Sequence, residues 1–131
     1  MLPLIGREEL RRAMDEGTVI VVDTMPVAYY EREHLPGARN IPGFPYERAA
    51  EFTDAYAPDV LPDKAAAIVV YCANIPCRNS EFVGARLREL GYTSVRKYRE
   101  GIEDWVDAGY RTESGTPAAA RPAPVSGDST E

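Results

Sequence analysis

Cysteine, histidine and tryptophan are scarce in this 131-residue chain, which has two of the first and one each of the others. So few thiols and imidazoles exclude a disulfide framework and leave no convincing zinc site, and no cofactor is expected. Long apolar runs are also missing. The longest, Ala65 to Ala73, is nine residues, about half of what a bilayer-spanning helix requires. The first residues, Met1 to Glu9, lack a basic start followed by a sustained apolar stretch, so no secretory signal is read there. Basic side chains are in deficit, 15 against 21 acidic for a formal charge of -6, which makes nucleic acid and anionic membranes poor partners. Together these absences predict a cytoplasmic, thiol-reducing setting.

What is present describes one domain. A chain of this length buries roughly two-thirds of its unfolded surface, enough for a core without staples. A folded domain is expected over residues 1–111, and a disordered tail over residues 112–131. That tail is rich in Pro, Ala, Ser and Gly, with Val125 as its one large apolar side chain.

Two short apolar runs, Val19 to Val22 and Ile68 to Tyr71, are β-branched and show no polar alternation, the pattern of strands buried on both faces. Shorter strands are expected at Ala38 to Ile41 and Val95 to Tyr98, with a first strand around Leu4 and Ile5. Helical periodicity runs from Arg7 to Asp15, where Leu10, Ala13 and Met14 share a face and Gly17 ends the run. It returns from Ser80 to Leu90, with Phe82, Val83, Leu87 and Leu90 on one face and Gly91 as the terminal cap. Ile102, Trp105 and Val106 form a third stripe, and Tyr46 to Tyr56 reads as a helix between prolines. Alternating strands and helices predict an α/β fold: a doubly wound, mostly parallel five-stranded sheet with helices on both faces. Ligands of such sheets bind outside the carboxyl ends of the strands, here just after Val22 and just after Tyr71.

After Tyr71 come Cys72, Ala73, Asn74, Ile75, Pro76, Cys77, Arg78, Asn79 and Ser80, and then the helix. A strand-to-helix loop can turn its amides inward, and the helix adds the positive end of its dipole. Both effects favour a thiolate, so Cys72 is the candidate nucleophile. The stretch from Cys72 to Arg99 carries six basic residues against Glu81 and Glu89, a local charge of +4 against -10 elsewhere. This balance suits a small anion, although charge runs also line ordinary solvated faces.

Several segments fall in register with one family. Val21-Val22-Asp23-Thr24 followed by Tyr30 to Pro42, then Ile68 to Cys72, the helix end Leu87 to Tyr92, and Tyr98 to Trp105 resemble rhodanese-like domains over about residues 2 to 111. The resemblance implies a single-domain sulfurtransferase. Cys72 would take sulfane sulfur from a donor such as thiosulfate, become a persulfide and pass that sulfur to a thiol, a cyanide-like acceptor or a protein, while the loop Ala73 to Ser80 binds the anionic donor. The loop departs from the common pattern: it has no glycine between Cys72 and Ser80, is two residues longer if Ser80 is the helix-start serine, and places Cys77 at the fifth position after Cys72.

Other readings stay open at this point. Cys77 is an inert loop residue, a resolving thiol or an alternative carrier, so a Cys72/Cys77 redox module is a second reading. A non-catalytic binding domain is a third. Arg78 completes a Cys-x5-Arg pattern of the kind phosphatases use, but Tyr71 stands where those usually have His. His34 is read as a structural hydrogen-bonding residue, Asp23 as a brace between loops and Trp105 as a core anchor.

Overall fold

The computed structural model describes residues 2–115. From residue 116 onward the expected tail lies outside the described residues. Nine regular elements follow in order: α1 (Arg7–Glu16), β1 (Ile20–Asp23), α2 (Val27–Arg32), β2 (Arg39–Asn40), α3 (Ala49–Val60), β3 (Ile68–Tyr71), α4 (Asn79–Glu89), β4 (Val95–Tyr98) and α5 (Gly101–Asp107). The sheet has the order β2-β1-β3-β4, and every pair in it is parallel.

Strand alternation divides the core into two layers. Val22, Ile68, Val70 and Val95 pack with Ala57 of α3, Leu61 just after it, and Val83 and Leu87 of α4. From the opposite face Val21, Val69, Tyr71 and Tyr98 pack with Leu10 of α1, Tyr30 of α2 and Trp105 of α5. β3 is buried at all four positions, as expected of a central strand covered on both faces.

Four strands form where five were expected. The chain around Leu4 makes only a single parallel bridge to Lys97, closed by Lys97 N–H to the Pro3 carbonyl (2.8 Å) and Ile5 N–H to the Lys97 carbonyl (3.0 Å). Pro3 has no amide to extend the ladder and α1 begins at Arg7, so no room remains for a strand. β2 is likewise shorter than expected: Pro42 ends it, and the Ala38 amide is used in a turn to the Leu35 carbonyl (3.0 Å). The expected helix between prolines is a 3-10 turn, Tyr46–Arg48, running into α3. α2 was not expected at all; six residues are too few to show a helical period, and only Tyr30 in it is buried. On α5, Trp105 is buried but Val106 faces solvent. The chain remains tied to the domain past residue 111, because Glu113 and His34 exchange backbone hydrogen bonds of 2.8 and 2.9 Å.

Candidate functional site

Chain direction in the sheet reverses between β1 and β3: from β1 the chain moves to the β2 side, then returns to place β3 on the other. A crevice at such a switch point is where the carboxyl ends of strands expose backbone groups. Thr24, just after β1, closes its floor: its amide and its hydroxyl both donate to the Tyr71 carbonyl, at 2.9 and 2.8 Å. The Asn79 side chain then donates to the Thr24 carbonyl at 2.9 Å. The start of α4 is thereby fastened to the end of β1.

Cys72 follows β3 directly and is only 2% exposed. Its thiol donates to the Cys77 carbonyl (3.4 Å) and lies 3.7 Å from the Ser80 hydroxyl. Ser80 is in the first turn of α4, whose amides have no intrahelical partner, and its N–H is directed at the Cys72 sulfur. Cys77 is half-buried. The amides of Asn79 and Ala73 face its sulfur, and its own amide makes a turn to the Asn74 carbonyl (3.2 Å).

The two thiols influence each other's ionisation. Cys77 is lowered to about 6, first by the hydrogen bond from the Cys72 thiol and then, against burial, by the Asn79 and Ala73 amides, with Lys97 adding a smaller attraction. Cys72 is pushed up, first by its bond to Cys77 and then by burial, with Ser80 opposing. The inward amides and the helix start expected around the thiol are there, and they are divided between the two sulfurs.

The remaining loop residues divide. Ile75 is exposed, Pro76 is exposed, and Asn74 reaches away to Glu103 (3.1 Å). Arg78 does not turn toward Cys72: its guanidinium pairs with Glu81 (3.4 Å) and covers the Phe82 ring (5.2 Å). The phosphatase-like reading of Arg78 therefore loses its phosphate-gripping group. Its amide contacts the Tyr46 hydroxyl (3.4 Å), and Phe44, Tyr46 and Phe82 make an aromatic rim beside the loop.

The basic cluster counted along the sequence is largely neutralised in space. Arg86 pairs with Asp54 (2.7 Å), Arg96 with Glu9 (3.2 Å), Arg99 with Glu100 (3.2 Å) and the buried Lys97 with Glu81 (3.4 Å). Three of these acids lie outside the counted stretch. Lys97 and Glu81 border a cleft of about 630 Å³ that also touches Leu4, Phe82 and Arg99.

Two residues that positioned the site were missed. Lys97 is buried on β4 close enough to act on Cys77; strand alternation with its apolar neighbours offered no hint of its partner. Gly101 opens α5 with φ +77°, and a Cβ there would meet the Cys72 carbonyl oxygen at 2.5 Å. This close approach lets the Ile102 and Glu103 amides bind the carbonyls of Cys72 and Ala73, both at 3.0 Å. Its signal was its place in the Arg99-Glu100-Gly101 motif.

Of the residues kept out of the catalytic set, His34 donates through Nδ1 to the Tyr30 carbonyl (2.6 Å) and stacks on the Tyr30 ring. Trp105 is buried against Tyr98 and Tyr110, and its indole N–H donates to the Arg111 carbonyl (2.8 Å). Asp23 is fully buried, accepting from the Met25 amide (2.8 Å) and the Tyr71 hydroxyl (2.7 Å). Burial pushes it up to about 7, against those two hydrogen bonds. Tyr71 passes the contact on by accepting from the Leu35 amide (3.0 Å).

The model of the Rhodanese-like domain family matches residues 6–108. An HTH-type transcriptional regulator of Mycobacterium tuberculosis is 33% identical over 113 residues, which cover 86% of this chain and 46% of the regulator. An adenylyltransferase and sulfurtransferase of Candida albicans is 30% identical over 91 residues, 67% of this chain and 19% of that protein. The chain thus spans less than half the length of either curated relative. Among solved structures, a thiosulfate sulfurtransferase from Pseudomonas aeruginosa superposes with a TM-score of 0.72 at 23% identity, covering 97% of this chain and 22% of that one, which is a likeness of fold. No helix among the described residues is long and apolar enough to cross a membrane.

Proposed function

From the premise that this chain belongs to the rhodanese-like domain family, we propose that it is a sulfurtransferase whose Cys72 carries sulfane sulfur as a persulfide. The observation that carries this reading is the position of Cys72 at the switch point, with its sulfur facing the first-turn amide and hydroxyl of Ser80. The match to a stretch of an adenylyltransferase and sulfurtransferase supports it.

In the forward step Cys72 gives up its proton to solvent. The Cys72 thiolate then attacks the outer sulfur of thiosulfate, the sulfur–sulfur bond of the donor breaks, and sulfite leaves with its electron pair. The amide and hydroxyl of Ser80 at the start of α4 stabilise the charge of the transferred sulfur without a metal. A thiophilic acceptor, such as a thiol, cyanide or a protein thiol, then takes the outer sulfur and releases Cys72 as thiolate. Both cysteines are free, as this chemistry requires, and a cytoplasmic, thiol-reducing compartment suits it. Intact-mass spectrometry after thiosulfate treatment tests the reading. One sulfur atom added to Cys77→Ser is expected, removable by cyanide and absent in Cys72→Ser; uptake by Cys72→Ser equal to that of Cys77→Ser would place the carrier elsewhere.

A further inference from the structure

Cys77 has no necessary place in simple sulfur transfer, yet the structure puts it against the carrier. Cys72 Sγ donates to the Cys77 carbonyl at 3.4 Å, each thiol shifts the other's ionisation, and Cys77 is the more exposed of the pair. In the intervening segment Asn74 is held by Glu103 and Arg78 by Tyr46, the Cys77 amide turns back onto the Asn74 carbonyl (3.2 Å), and Ile75 and Pro76 face solvent. That turn folds the loop back so that Cys77 stays beside Cys72, within the same short segment as the inner sulfur of a persulfide there.

We propose a second activity for this domain, resting on the persulfide reading: Cys77 attacks Cys72 Sγ of the persulfide, expels the outer sulfur as hydrosulfide and closes a Cys72–Cys77 disulfide. The balance is complete within the loop. The Cys77–Cys72 sulfur bond forms, the bond from Cys72 to its outer sulfur breaks, and the electron pair leaves on that sulfur. The outer sulfur is reduced from the sulfane state to sulfide while the two thiols are oxidised to a disulfide. The terminal proton of the persulfide departs with it, and a dithiol reductant reopens the bridge for the next cycle. A thiolate titrating near ambient pH is the best attacking species for such exchange, and Cys77 is held close to that condition by the proton of Cys72 and the Asn79 and Ala73 amides. The sulfur that leaves is attended by the same Ser80 amide that faces Cys72. The domain thereby converts sulfane sulfur to sulfide rather than only relaying it.

The test treats wild type, Cys77→Ser and Cys72→Ser with thiosulfate in the absence of reductant. It follows released sulfide by alkylating trap, retained sulfur by intact mass, and linkage by non-reducing peptide mapping. Wild type is expected to release sulfide in step with formation of a Cys72–Cys77 peptide, and Cys77→Ser to retain the added sulfur and release none. Two results overturn the inference while leaving sulfur transfer intact: a wild type that retains its sulfur as Cys77→Ser does, or a disulfide that forms without sulfide. Failure of both wild type and Cys77→Ser to take or release sulfur removes the persulfide reading, and this inference falls with it.

Discussion

Replacing Gly101 by alanine separates a backbone requirement of the site from an ordinary cost of left-handed geometry. Gly109 supplies the comparison, with φ +82° against +77° for Gly101 but nothing within 4 Å of an added Cβ. Gly109→Ala carries only the left-handed strain, about 1 kcal/mol. At Gly101 the added Cβ would lie 2.5 Å from the Cys72 carbonyl oxygen and from the Ala73 carbonyl carbon, so the backbone of close-packed elements must give by about 1 Å. That displacement acts on the amide bonds from Ile102 and Glu103 that hold the carbonyls of Cys72 and Ala73. A total cost of about 3 kcal/mol is expected, the range of severe single-site changes. Because the same shift moves the nucleophile, persulfide formation should slow by about tenfold or more, as misplacements of this order do. Urea denaturation of both variants and the rate of sulfur loading at saturating thiosulfate provide the readings. The reasoning is refuted if Gly101→Ala loses no more stability than Gly109→Ala and loads sulfur at the wild-type rate.

Removal of the Cys72 proton donor has an effect readable at its partner: in Cys72→Ala the alkylation of Cys77 against pH should move from a midpoint about 6 toward the alkaline range of an ordinary thiol. An unchanged midpoint would assign the lowering to the amides alone. The second expectation concerns Asp23, which holds its proton in the folded state up to about 7, while the unfolded carboxyl releases it near 3.8. Its contribution to stability is therefore full below the lower value and lost as pH rises through the upper one. Asp23→Asn abolishes that dependence, so wild-type Tm relative to the variant should fall across this window; parallel curves would contradict it. Tyr71→Phe should cost about 1–3 kcal/mol in urea denaturation, because the Leu35 amide and the Asp23 carboxyl each lose a buried partner. A loss within error would show that water replaces the hydroxyl.

Much of the architecture was legible residue by residue. Val19 to Val22 and Ile68 to Tyr71 read as central strands because β-branched residues without polar alternation suit only a sheet covered on both faces. The helices at α1 and α4 read from their apolar stripes and from Gly17 and Gly91, which take φ +72° and +102° beyond the helix ends. Where reading stopped short, local signals were weak or competed. α2 is shorter than two helical turns, and the stretch around Leu4 has a strand-like composition but is boxed in by Pro3 and α1.

By itself, then, the order of residues determined the alternating fold, the family and the loop on which Cys72 sits, because each depends on periodicity or on neighbours along the chain. The ionisation of the site was decided only in three dimensions. Which thiol carries charge depends on the burial of Cys72, on amides from both ends of the loop and on Lys97 arriving from β4. The anion-attracting balance of +4 counted over Cys72 to Arg99 was largely offset by Glu9, Asp54 and Glu100, brought from outside that stretch. Charges act through space and desolvation acts through packing, so neither is expressed by a residue's place in the chain.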